Sequence, residues 1–265
     1  MNIYRFEMRL LRNSIITWAL TLAGTCAFFL SLYPVYANNV EIVKSMMAGF
    51  PPGVLEAFGI NMDTFFSLTG FYALTLYYVL FFGAIQAVHL GLDLISRENR
   101  SKTSDFLLTK PVNRRTVIAA KYMAALTALV ITNLVYLVAS TLMCLAVKNT
   151  DLNLPVLLLI SLTLFFAQLA FLGIGALIAT FFTKIKSVSS LSLSVAAFFF
   201  VLSMIDTLIG KEAIRYITPF KYFDNLNIIE NQAYQGSSLL TVFGVCLICA
   251  VISIIVYVRR DVAAL

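Results

Sequence analysis

The chain has 265 residues, 60% of them hydrophobic and 12% charged, with a mean hydropathy of +0.91. A soluble domain carries about 25% charged residues, so the composition excludes a water-soluble globular protein and points to an all-α, polytopic membrane protein. The net charge of +6 does not argue for nucleic acid, because Lys and Arg of membrane proteins collect on cytoplasmic loops; no nucleic-acid partner is expected.

Residues 1–12, MNIYRFEMRLLR, read as an amphipathic interface helix. Ile3, Phe6 and Leu10 fall on one face, and Arg5, Arg9 and Arg12 on another. Such a helix lies in the headgroup plane with its apolar side down; a basic tail that only sets topology is the alternative. Residues 14–35 form the first span. A signal peptide is the competing reading, since Val35-Tyr36-Ala37 resembles a cleavage site, but the run exceeds the usual signal core of about 7–15 residues. Residues 38–64 are an outer loop of mixed polarity. Pro51, Pro52 and Gly53 make a turn there, and the VLEAFGI that follows can form a short helix near the outer surface. Residues 65–95 are the second span, long enough at 1.5 Å per residue to project past a hydrocarbon layer about 30 Å thick. A charged loop follows at 96–115, then spans at 116–147, 154–182, 188–209 and 239–258. Pro155 opens the fourth span, where its missing N–H is harmless. The second outer loop, 210–238, holds the Pro-broken aromatic segment Thr218-Pro219-Phe220-Lys221-Tyr222-Phe223.

Six spans put both termini on one side. Of the 19 Lys/Arg, five (Lys44, Lys148, Lys211, Arg215 and Lys221) fall on the loops opposite the termini. The rest lie on the termini side, which is therefore the cytoplasm.

The sequence lacks a GxxxxGK[ST] phosphate loop: Gly210-Lys211 is followed by Glu212, and no glycine stands five residues earlier. ATP hydrolysis by this chain alone is therefore not expected. Neither a metal-ligand cluster nor a GxSxG nucleophile elbow is present, so no catalytic residue, bound metal or bound cofactor is expected. The four cysteines lie in apolar runs. Cys246 and Cys249 have CxxC spacing but no polar neighbours and no second pair, and read as small hydrophobes.

Polar groups inside spans are costly and often functional. Gln86, His89, Asp93 and Arg97 follow one another at three, four and four residues, which places them on one helix face. His89 and Asp93 could relay protons. A local His–Asp or Asp93–Arg97 pair at the membrane edge is the better reading, because no acid lies deeper. Asn133 and Gln168 fit interhelical hydrogen bonds, and Gly173, Gly175 and Ala179 fit close helix packing. The halves show no repeat of the kind common in secondary transporters.

The charged loop carries the most specific pattern. Lys102 to Thr109 can make two helical turns, with Phe106 and Leu107 or Leu108 as an apolar knob among Lys102, Thr103 and Asp105. Pro111 ends that helix, because the residue before proline avoids α geometry, and Arg114, Arg115 and Lys121 mark re-entry into the membrane. An apolar knob in a polar rim suits a small docking site. A plain positive-inside loop explains the charge but not three apolar residues in a water-exposed turn.

The pattern Arg97-Glu98-x-x-x-Lys102-Thr103-x-x-Phe106-Leu107-Leu108-Thr109-Lys110-Pro111-Val112-x-Arg114-x-x-Val117-x-x-x-Lys121 resembles the cytoplasmic loop of ABC-2-type transporter permeases. Lys102 replaces the family's usual Gly, and Asn113 its usual Ser. The six-span layout, the amphipathic N-terminus, Pro51-Pro52 with Ala57-Phe58-Gly59, and the Pro-Phe-x-Tyr-Phe segment also resemble that family. The resemblance implies a half-size subunit that pairs with a second permease subunit, identical or not, in the bilayer. Two copies of a separate ABC ATPase, which hold the ATP and Mg, would bind the pair. In the family the loop after the second span is a coupling helix that seats in the ATPase. Here it implies docking through Lys102, Thr103, Asp105, Phe106, Leu107, Leu108, Pro111 and Arg114. Glu98, His89, Asp93 and Arg97 are the candidates at the membrane interface or gate. The expected function is ATP-driven export of a hydrophobic or amphipathic substrate (a drug, antibiotic peptide or lipid) across a bacterial plasma membrane. The alternatives are an ATPase-linked sensor subunit and a secondary transporter using His89 and Asp93.

Overall fold

The computed structural model describes residues 3–101, 114–147, 153–182, 185–209 and 216–259, without the side chains of 98–101 and 259. These residues form helices and turns. Six helices are long and apolar enough to cross a membrane: α1 (Ile3–Asn38), α4 (Leu68–Ser101), α5 (Arg114–Ala146), α6 (Leu154–Phe181), α7 (Val188–Ile209) and α9 (Gly236–Arg259). Among the described residues, three short α-helices lie between spans, α2 (Val40–Met47), α3 (Pro52–Ala57) and α8 (Asn225–Asn231), with a single 3-10 turn at Pro219–Lys221.

The first element differs from expectation. A separate interface helix over residues 1–12 is absent, and α1 runs without a break from Ile3 to Asn38. No glycine or proline stands between Arg12 and the apolar run, so nothing in the backbone chemistry ends the helix there. Its buried side bears Glu7, Leu11, Ala19, Leu22, Cys26 and Leu30, while Phe6 and Leu10 are turned outward.

Helices α4 and α6 are the centre of the bundle. The most apolar stretch of each is 78% and 67% buried, against 33% or less for the other four spans. Small residues bring the two backbones together. A Cβ on Gly91 would stand 2.3 Å from the Leu172 carbonyl oxygen, and one on Gly175 would stand 2.6 Å from that of Val88. Without a hydrophobic drive inside lipid, close packing of this kind is a main source of helix association. Gly173 faces α9 instead, where its Cβ would meet the Cys249 Cβ at 3.0 Å.

At the end away from Arg97, the connecting segments fold back onto the bundle. The Tyr77 hydroxyl donates to the Ala57 carbonyl at 3.2 Å, and the Tyr78 hydroxyl to that of Phe58 at 3.2 Å. Gly59 takes φ +82° beneath the Tyr77 ring, a conformation open to glycine at low cost. Pro219, Phe220 and Tyr222 of the second connection are buried. Phe220 packs between Phe171 and Phe200, and Phe166 stacks on Phe223.

Candidate functional site

The two helices that border the charged loop meet at one end of the bundle. Residues 102–113, with Lys102, Thr103, Asp105, Phe106, Leu107, Leu108 and Pro111, lie outside the described residues, as does the side chain of Glu98. The described part of the site is the pair of helix ends on either side, Arg97 on α4 and Arg114 to Lys121 on α5.

Arg97 is the hub. Its Nη1 donates to Glu7 Oε2 at 2.7 Å, its Nε to Asp93 Oδ2 at 2.7 Å, and its Nη2 also to Asp93 Oδ2. The planar guanidinium thus joins α1 to α4 by two carboxylates at once, which suits Arg better than Lys. Across from it, Lys121 is 4% exposed, and its Nζ donates to the Leu94 carbonyl at 3.0 Å. These four charged groups, with Leu11, Leu90, Leu94 and Ala125, line a cavity of about 10 Å³, room for a single water.

The i, i+4 spacing of Asp93 and Arg97 was legible in the sequence; their partner Glu7 was not. Glu7 stands among Arg5, Arg9 and Arg12, and its neighbours read as the polar face of a surface helix. The signal was its position, on the side of the helix away from the arginines and one turn from Leu11. His89 is half-buried one turn above Asp93.

Further along the same interface the amides form a network. Gln86 Nε2 donates to Thr132 Oγ1 at 3.1 Å, Gln168 Nε2 to Gln86 Oε1 at 3.0 Å, and Asn133 Nδ2 to Gln168 Oε1 at 2.5 Å. The hydroxyls of Tyr72, Tyr136 and Ser161 make a third polar group, 2.9 and 2.6 Å apart. Polar contacts at three depths therefore tie α4 to its neighbours, to α1 and α5 at the charged end and to α5 and α6 at the amides and hydroxyls. Such contacts tie the helices together. Among the described residues, no group of three His, Cys, Asp or Glu is placed to hold a metal ion.

Residues 1–262 match the family model described as ABC-2 family transporter protein. The chain belongs to the ABC-2 transporter family. No curated protein matches it. Members of this family are membrane subunits without an ATPase motif of their own and generally partner with ABC ATPases. With its six apolar helices, this ABC-2 permease is a multi-pass membrane protein.

Proposed function

We propose that this permease pairs with a second permease subunit and couples ATP hydrolysis by two copies of a separate ABC ATPase to the export of a hydrophobic or amphipathic substrate. The supporting observation is that α4, the helix leading into the charged loop, is the most enclosed span. Its loop end is fixed to α1 through Arg97 and Glu7, and to α5 through Lys121. A displacement of the loop has little slack to dissipate in before it reaches the α4–α6 core. ATP and Mg sit on the ATPase, and their binding closes it. The Phe106-Leu107-Leu108 knob takes up that movement, and the permease pair switches between packings that open to opposite sides. The permease contributes the difference in packing between those states, and ATP drives the shift. The substrate class agrees with the broad apolar faces of α1, α5, α7 and α9.

Phe106→Asp and Leu107→Asp test the reading. An anchor residue of a docking knob contributes about 2 kcal/mol or more, roughly thirtyfold in affinity. Each change should leave the chain in the membrane, abolish co-purification of the ATPase and stop ATP-dependent efflux. Efflux that persists in these variants with the ATPase released would overturn the proposal and favour a secondary transporter.

A further inference from the structure

The loop end of α1 presents two opposite faces. Glu7 and Leu11 are turned into the bundle, while Arg5, Arg9 and Arg12 are all exposed. Among the described residues these three arginines have no side-chain ion pair, because the acid on the same turns, Glu7, is taken by Arg97. At 100° per residue, Ile16 and Leu20 lie about 20° to either side of Arg9, and Ile16 is about 10 Å further along the axis. Both are exposed, 53% and 69%, and belong to the stripe that a spanning helix shows to acyl chains. Since α1 is unbroken, the arginines are held directly below that stripe, at the depth where basic side chains meet phosphates. Phe6 and Leu10 flank them and are also exposed.

We propose that Arg5, Arg9 and Arg12 form a recognition face for the headgroup phosphate of an anionic phospholipid. A soluble partner fits the observations less well, because the face continues upward into apolar surface that a water-facing protein could not cover. The same two turns of α1 are then held from both sides, by the lipid outside and by Arg97 inside. Lipid occupancy would fix α1 against α4 beside the charged loop. The inference rests on the membrane embedding of α1 and not on the coupling proposed above.

The probe is a tryptophan placed on the arginine side of α1. Trp18, the single tryptophan, is half-buried and lies about 180° around the helix from Arg9, so W18F removes it and I16W puts the reporter at an exposed position on the arginine side. The full chain would be reconstituted in phosphatidylcholine vesicles containing increasing fractions of phosphatidylglycerol, with bromine on the acyl chains of one lipid or the other. Quenching of that reporter in the W18F/I16W background then shows which lipid occupies the positions beside the arginines. A basic side chain near an anionic surface contributes about fivefold in binding. With all three arginines present, this background should therefore prefer brominated phosphatidylglycerol by at least about fivefold. Arg9→Gln should weaken that preference about fivefold, and the triple change R5Q/R9Q/R12Q should bring it to about one. All three side chains point away from the bundle, so melting in pure phosphatidylcholine should not change. Equal quenching by both lipids with all three arginines present would overturn the proposal. So would a triple variant that keeps the lipid preference; if it also failed to co-purify with an ATPase, the face would be a protein contact.

Discussion

Arg97 is the residue whose loss has the widest reach. Glu7 and Asp93 both accept hydrogen bonds from it in a mostly buried site, with side-chain exposures of 10% for each. Removing one partner of a buried pair leaves an uncompensated charge and costs about 3–5 kcal/mol. Arg97 itself is 24% exposed, so water can enter and the low end applies. Arg97→Leu should destabilise the purified chain by about 3 kcal/mol, read as a lowered melting temperature in detergent. Glu7→Gln should cost less, because Asp93 still holds the guanidinium. Adding Glu7→Gln to Arg97→Leu should restore part of the loss, since one stranded charge is removed. Strictly additive losses would mean that Glu7 and Arg97 do not interact. The Asp93 half of this hub could be read from spacing along one helix. The Glu7 half spans 90 residues, and no local pattern encodes it. The amides behaved alike: Asn133 and Gln168 were recognisable as interhelical donors, yet that they bond each other and Gln86 follows only from how α4, α5 and α6 are set together.

At the scale of the elements, the α4–α6 contact decides how the bundle is built, and its glycines make opposite predictions from a lipid-facing one. Gly91→Ala would force a methyl group to within 2.3 Å of the Leu172 carbonyl oxygen and 2.7 Å of the Ala176 nitrogen. Both are backbone atoms that cannot turn aside, so the helices must separate. Overpacking of this kind costs about 1–3 kcal/mol or more, and the variant should elute broadly or aggregate on size exclusion. Gly24→Ala on α1 meets nothing within 4 Å, and helix propensity favours alanine there by about 1 kcal/mol. It should remain monodisperse with an unchanged or higher melting temperature. If the two variants behaved alike, tight packing would not be what sets the α4–α6 distance. The long helices were readable from their apolar runs: one helix covers Val188–Ile209, where 188–209 was expected, and another Leu154–Phe181, where 154–182 was expected. The start of α1 was misread because alternating Arg and apolar residues imitate a surface helix, while its continuity depends on the absence of any breaker. The short helix α2 left no clear mark, since Val40–Met47 mixes charged and apolar residues over only two turns.

For the whole molecule, the alternation of six spans places the short helices α2, α3 and α8 at the end opposite Arg97 and Lys121. The charge distribution gives that arrangement a direction. Most Lys and Arg lie on the side with the charged loop, and moving such a cluster across the bilayer is disfavoured. The charged-loop end is therefore expected in the cytoplasm, with α2, α3 and α8 outside. Single cysteines read by a membrane-impermeant maleimide test this. The four native cysteines lie within α1, α5 and α9, out of the reagent's reach. Met46→Cys on α2 and Asn231→Cys at the end of α8 place thiols at exposed positions and should label in intact cells. Ser187→Cys, exposed between α6 and α7, should label only after the membrane is permeabilised. The reverse pattern would turn the molecule over and put the Phe106-Leu107-Leu108 knob where no ATP-fuelled partner can reach it. Labelling of all three positions from outside would break the alternation and require one apolar helix not to cross. The expected pattern would place the knob and the Arg97 hub on the ATP side, as the proposed coupling requires.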